Sequence, residues 1–130
     1  MLGHLMEQWN LVRLELAGTA EFPRGSASRA YMLRVPLDNE GLIDGAALAR
    51  RPGMATVRRF WPNEPDQTGQ LVRSGPGWTF SYATAAGDDE ELYRLEDQPL
   101  RVGDCVTLSG PEGSRPFRVV RSQGDRASGL

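Results

Sequence analysis

The sequence predicts a mainly β protein: a small single-domain β-barrel or half-open sandwich of about seven or eight short strands, with one short helix. Three observations carry this. Apolar and polar residues alternate with period two in one segment after another, as in strands that bury a single face. Gly and Pro are abundant, 15 and 9 of 130 residues, and they interrupt the alternation often enough to make short strands and tight turns. Only one segment carries a helical pattern. A chain of this length can build a core without staples, burying roughly two-thirds of the surface that its unfolded form exposes. A barrel is favoured over a sandwich because closure removes exposed strand edges.

The first strand follows from Val12, Leu14 and Leu16, which alternate with Arg13 and Glu15. A Gly-, Ser- and Pro-rich stretch, Phe22 to Ser28, predicts a loop or wide turn. The second strand places Tyr31, Leu33, Val35 and Leu37 on one face and Met32 and Arg34 on the other. Pro36 has no N–H to donate, so that strand is an edge there or ends there. Asp44 is a suitable N-cap for a helix of about two turns through Ala46, Ala47, Leu48 and Ala49 to Arg51. Arg50 and Arg51 suit its negative end, and Pro52-Gly53 stops it.

Ala55 to Trp61 predicts a third strand, followed by a turn-rich stretch with Pro62, Asn63, Pro65, Asp66 and Gly69. The clearest hairpin joins Leu71-Val72-Arg73 to Trp78–Ala83 through Ser74-Gly75-Pro76-Gly77. In it Trp78, Phe80 and Tyr82 share a face, the expected core face of a sheet. Asp88, Asp89, Glu90 and Glu91 predict a solvated acidic loop, with Leu92 to Glu96 a short strand or a helical turn beyond it. A last hairpin runs from Arg101–Leu108 to Phe117–Arg121 around Gly110-Pro111-Glu112-Gly113. Leu100 to Leu108 with Phe117 to Val120 resembles the closing hairpin of SH3-like and related small barrels. That resemblance is one of shape, shared by unrelated folds, and implies no activity. Residues 1–10 are expected to form an N-terminal extension, 11–121 the β domain and 122–130 a flexible polar tail.

Composition narrows the chemistry. The chain has no lysine, a single histidine, His4, and a single cysteine, Cys105. Most mechanisms that rely on protons or lone pairs usable near neutral pH are therefore absent or poorly placed. Cys105, inside an apolar run, is expected to be a small buried hydrophobe. One cysteine excludes an internal disulfide and a Cys-cluster metal site. No metal and no cofactor are expected, since adjacent carboxylates such as Asp88 to Glu91 lack the spacing of a calcium loop. The exclusive use of arginine fits the codon bias of a GC-rich, bacterial genome. No apolar run is long enough to span a bilayer and no signal segment is evident, so a cytoplasmic location is expected.

The candidate binding residues are Arg58, Arg59, Phe60 and Trp61, with Arg50 and Arg51 in the same basic stretch. Arginine beside an aromatic ring suits an interface hot spot, a phosphate contact with base stacking, or a plain Arg–ring stack at a barrel rim. The leading expectation is a non-catalytic protein-binding or scaffold module, engaging a protein partner or a second copy of itself. A single-stranded nucleic-acid binder is the alternative, disfavoured by a pI near 5.4. An enzyme dependent on carboxylates is third.

Overall fold

The computed structural model describes residues 8–83, 89–110 and 113–125, without side-chain detail at 82, 83 and 89–92. Eight antiparallel strands follow one another around a closed barrel. They are β1 (Trp9–Leu16), β2 (Ser26–Pro36), β3 (Thr56–Phe60), β4 (Gln67–Ser74), β5 (Gly77–Ala83), β6 (Asp89–Leu95), β7 (Cys105–Gly110) and β8 (Gly113–Gly124). Each pairs with its successor, and β8 closes the cylinder on β1, with Leu16 opposite Phe117 and Leu14 opposite Val119. The order is an up-and-down meander, in which every strand is joined to its neighbour in sequence.

The period-two pattern becomes the inside and outside of this cylinder. Val12, Leu14 and Leu33 are fully buried, as are Val35, Leu71, Trp78, Phe80 and Val119. In an eight-stranded barrel the interior is just wide enough for side chains to fill, and the large rings of Trp78, Phe80 and Phe117 do much of that here. Extra residues are absorbed at bulges. Between Arg13 and Leu14 the partner register on β8 jumps from Arg121 to Val119. Val120 is thereby left out of the ladder and half exposed, while Val119 keeps its place inside.

The two barrel ends are finished differently. Where β2 finishes, at Pro36, the chain does not turn directly into β3. It makes a small loop on Asp38, whose Oδ1 accepts from the Glu40 and Leu42 amides, and then the helix α1 (Gly45–Arg50). Asp44 caps that helix by accepting from the Ala47 amide at 3.1 Å, and a 3₁₀ turn at Pro52–Met54 follows. Leu37, Ile43 and Leu48 join the core there. At the opposite end, where β2 begins and β3 finishes, no helix intervenes among the described residues.

The β4–β5 hairpin turns through Gly75-Pro76, with Ser74 paired to Gly77. Gly75 has φ +58° and the ring of Pro76 fixes a negative φ, the combination of a type II′ turn. Residues 111 and 112, in the second predicted hairpin turn, lie outside the described residues, as does His4.

Three expectations need correction. Cys105 is exposed: Gly103 and Asp104 form a turn that resets the alternation, so Val106 and Leu108 point inward and Cys105 outward. The acidic run is not wholly a loop, because Asp89, Glu90 and Glu91 belong to β6, which extends to Leu95 and pairs with β5. The paired strands also run past the bounds 11–121, from Trp9 to Gly124, since Asn10 pairs with Gly124. Asp125 lies just beyond, its carboxylate 2.9 Å from Nε of Arg34. Among the described residues no helix is long and apolar enough to cross a membrane.

Candidate functional site

The six predicted binding residues do not form one patch. Arg50 ends α1 and Arg51 caps it, so both sit at the helix-covered end of the barrel. In β3 the alternation divides the rest. Val57 is fully buried, so Arg59 shares its inward direction, while Arg58 and Phe60 face outward. Arg58 is exposed, lies 5.2 Å from the Phe60 ring centroid and pairs with Asp66 at 3.1 Å. Arg13 reaches the same ring at 5.8 Å. This outer group is an Arg–ring stack on the sheet surface, with Phe60 partly covered by two guanidinium groups.

Arg59 and Trp61 enter the end without a helix, the open end of the barrel as far as the described residues go. Arg59 stands opposite Tyr31 in the β2–β3 register, and its side chain is 12% exposed. Its guanidinium carbon lies 4.2 Å from the Trp61 ring centroid, and Nη1 donates to Oε1 of Glu64 at 2.8 Å. Burial works against the charge of Arg59, but the Glu64 carboxylate and the Tyr31 hydroxyl outweigh it and raise its pKa above the ordinary arginine value. The guanidinium is thus a permanent cation. Its Nε is shut off from solvent and has no hydrogen-bond partner.

Around this cation the barrel end is lined with rings. Tyr31 is central: its ring centroid is 5.2 Å from Phe117, 5.5 Å from Phe80, 6.2 Å from Trp61 and 6.4 Å from Tyr93. Arg29, two residues before Tyr31 on the same face, stacks on Phe22 at 4.1 Å and reaches Trp61 at 5.9 Å. Arg115 is placed likewise, two residues before Phe117. Between Tyr31, Arg59, Trp61, Tyr93, Arg115 and Phe117 lies a cavity of about 20 Å³. The arrangement suits capture of an acceptor-bearing, negatively charged group against aromatic walls. Among the described residues the carboxylate that meets Arg59 is that of Glu64, which is itself half exposed.

A larger concavity, about 450 Å³, lies at the other end between α1 and the β4–β5 hairpin, walled by Leu48, Pro52, Leu71, Val72 and Trp78. Its one charged side chain, Arg73, is stacked on Trp78 at 4.6 Å and lies 4.0 Å from Asp97.

Sequence reasoning found Arg59 and Trp61 but missed Tyr31, Tyr93, Arg115, Arg29 and Glu64 as their companions. The available signal was that an arginine precedes each inward-facing run at the spacing of the buried face: Arg29 before Tyr31 and Leu33, Arg115 before Phe117 and Val119. No protein family matches this chain, and neither the curated proteins nor the solved structures contain a significant match.

Proposed function

We propose that this barrel is a non-catalytic binding module that engages a protein partner at its open end, with Arg59 and Trp61 anchoring an acidic side chain. The observation that supports this best is the state of Arg59. It is a nearly buried cation, stacked on Trp61, with an Nε–H that is closed off from the surface and meets no protein acceptor. Such an unsatisfied donor costs about 1–3 kcal/mol. An incoming carboxylate at the outer guanidinium nitrogens adds charge-assisted bonds, which are roughly twice as strong as neutral ones. Buried Arg and Trp are also the residues that dominate interface hot spots. The cavity of about 20 Å³ is on the scale of a single water molecule, which suits the tip of a side chain better than a whole small molecule. The donors and rings described there suit binding of an acidic group.

The test is an anisotropy titration with a labelled peptide of alternating Glu and Leu, its Gln-for-Glu counterpart and a labelled single-stranded oligonucleotide. Titrations are run at about 50 and about 200 mM salt. The acidic peptide is expected to bind, and both the Gln peptide and the Arg59→Gln protein to lose that binding. Equal binding by Arg59→Gln overturns the assignment. Binding of the oligonucleotide alone, with a steep salt dependence, replaces it by the nucleic-acid alternative.

A further inference from the structure

We propose that Glu64 is a built-in occupant of the open end, an intramolecular stand-in for a ligand carboxylate that displaces it. This rests on the open end being the recognition surface, and it adds the ligand chemistry, a carboxylate on an aromatic or apolar arm, and the group that must yield.

The two partners of the Arg59–Glu64 pair are unequally placed. Arg59 is 12% exposed and Glu64 is 50% exposed. If the pair separates, Glu64 returns to water at small cost, whereas Arg59 is left as a buried cation. The pair therefore exchanges one carboxylate for another far more readily than it opens without replacement. Glu64 also uses Arg59 incompletely. The contact runs from Nη1 to one carboxylate oxygen, although a guanidinium can hold a carboxylate through two parallel bonds.

Release of Glu64 does not require its loop to come apart. The segment 61–66 is fixed separately by Asp66, paired with Arg58 on the outer face at 3.1 Å, and by the Glu64 amide donating to the Trp61 carbonyl at 3.3 Å. Pro62 and Pro65 stiffen the segment further. The two adjacent arginines of β3 thus hold the loop from opposite sides, and only the inner hold is exchanged. A rotation of the Glu64 side chain empties the place beside Nη1 of Arg59, a residue that also lines the cavity. The rings of Trp61, Tyr31, Tyr93 and Phe117 line that cavity and suit the aromatic or apolar arm of a carboxylate.

The test compares wild type, Glu64→Ala and Glu64→Ala/Arg59→Gln by calorimetric titration with phenylacetate, 2-phenylethanol, inorganic phosphate and the Glu/Leu peptide. Circular dichroism melts establish that each variant is folded. Phenylacetate or the peptide is expected to bind wild type weakly and Glu64→Ala at least tenfold more tightly, with no binding to the double variant. Tightening with phenylacetate alone identifies a free acid as the source of the carboxylate, and tightening with the peptide alone identifies a polypeptide; either supports the proposal. Wild type and Glu64→Ala binding with equal affinity overturns the role of Glu64 and leaves the open end as the recognition surface. Stronger binding of phosphate or 2-phenylethanol than of phenylacetate overturns the carboxylate assignment. Absence of binding by every probe to every protein overturns the recognition surface and this proposal together.

Discussion

Gly110 closes β7 with its backbone against the ring of Tyr93, so that a Cβ there would overlap the ring carbons Cδ1 and Cε1. Gly110→Ala therefore tests whether Tyr93 sits in the barrel end as described. The ring cannot simply step aside, because it packs on the core with Tyr31 6.4 Å away. Overpacking of this kind costs about 1–3 kcal/mol. Gly110 does not have a positive φ, so alanine also gains about 0.4–1 kcal/mol by restricting the unfolded chain. The balance is a loss of about 1–2 kcal/mol, or roughly 3–10 °C in Tm for a domain of this size. Gly124 supplies the control, since it too lacks a positive φ and has nothing within 4 Å of its would-be Cβ. The same substitution there is expected to be neutral or to stabilise by up to about 1 kcal/mol. Urea titrations read both effects as midpoint shifts at constant m-value. Placing Gly110→Ala in a Tyr93→Ala background should remove most of its cost, a coupling of about 0.5–3 kcal/mol. A Gly110→Ala protein as stable as wild type, or a loss that persists without the Tyr93 ring, would refute the reasoning.

Other expectations follow from the same assignment of inside and outside. Phe80→Ala, at a fully buried ring, should cost about 3–5 kcal/mol by urea titration, whereas Phe60→Ala on the outer face should cost about 1 kcal/mol or less; similar losses would contradict the β3 parity. Asp44→Ala removes the cap on the Ala47 amide and should cost about 1 kcal/mol, read from the thermal melt. Cys105, being exposed, should react with a chromogenic disulfide reagent in the native protein about as fast as after unfolding, and protection in the native state would place it inside.

Much of the fold was legible because local signals agreed with the tertiary solution. Val12, Leu14 and Leu16 on one strand and Tyr31, Leu33 and Val35 on the next are buried as their alternation required. Asp44 caps the helix, and Gly75-Pro76 makes the hairpin turn. What stayed hidden depended on closure. In β3 neither face is cleanly apolar, so the sequence offered no means of deciding whether Arg58 with Phe60 or Arg59 with Trp61 turned inward. Only Val57, locked into the core by its register with Leu33, settles it. The chain after Arg121 has no apolar pattern, yet it forms strand because Asn10 and Leu11 supply a ladder to pair with. The open end itself draws on Tyr31 from β2, Arg59 from β3, Tyr93 from β6 and Arg115 from β8. Residues so far apart in sequence share a site only once the barrel is closed, and single segments carry no trace of that meeting.

The central claim, that recognition occurs at the open end through Arg59 and Trp61, is tested most directly by the three indole N–H signals of the ¹⁵N-labelled protein. Trp9 and Trp78 are 2% and 0% exposed, and the Trp78 indole donates to Asp97 at 3.3 Å. Trp61 stands in the open end beside Arg59. On titration with the Glu/Leu peptide, the Trp61 indole signal is expected to move while those of Trp9 and Trp78 hold still. Movement of the Trp78 signal with Trp61 unmoved would place recognition at the apolar groove under α1 and contradict the claim.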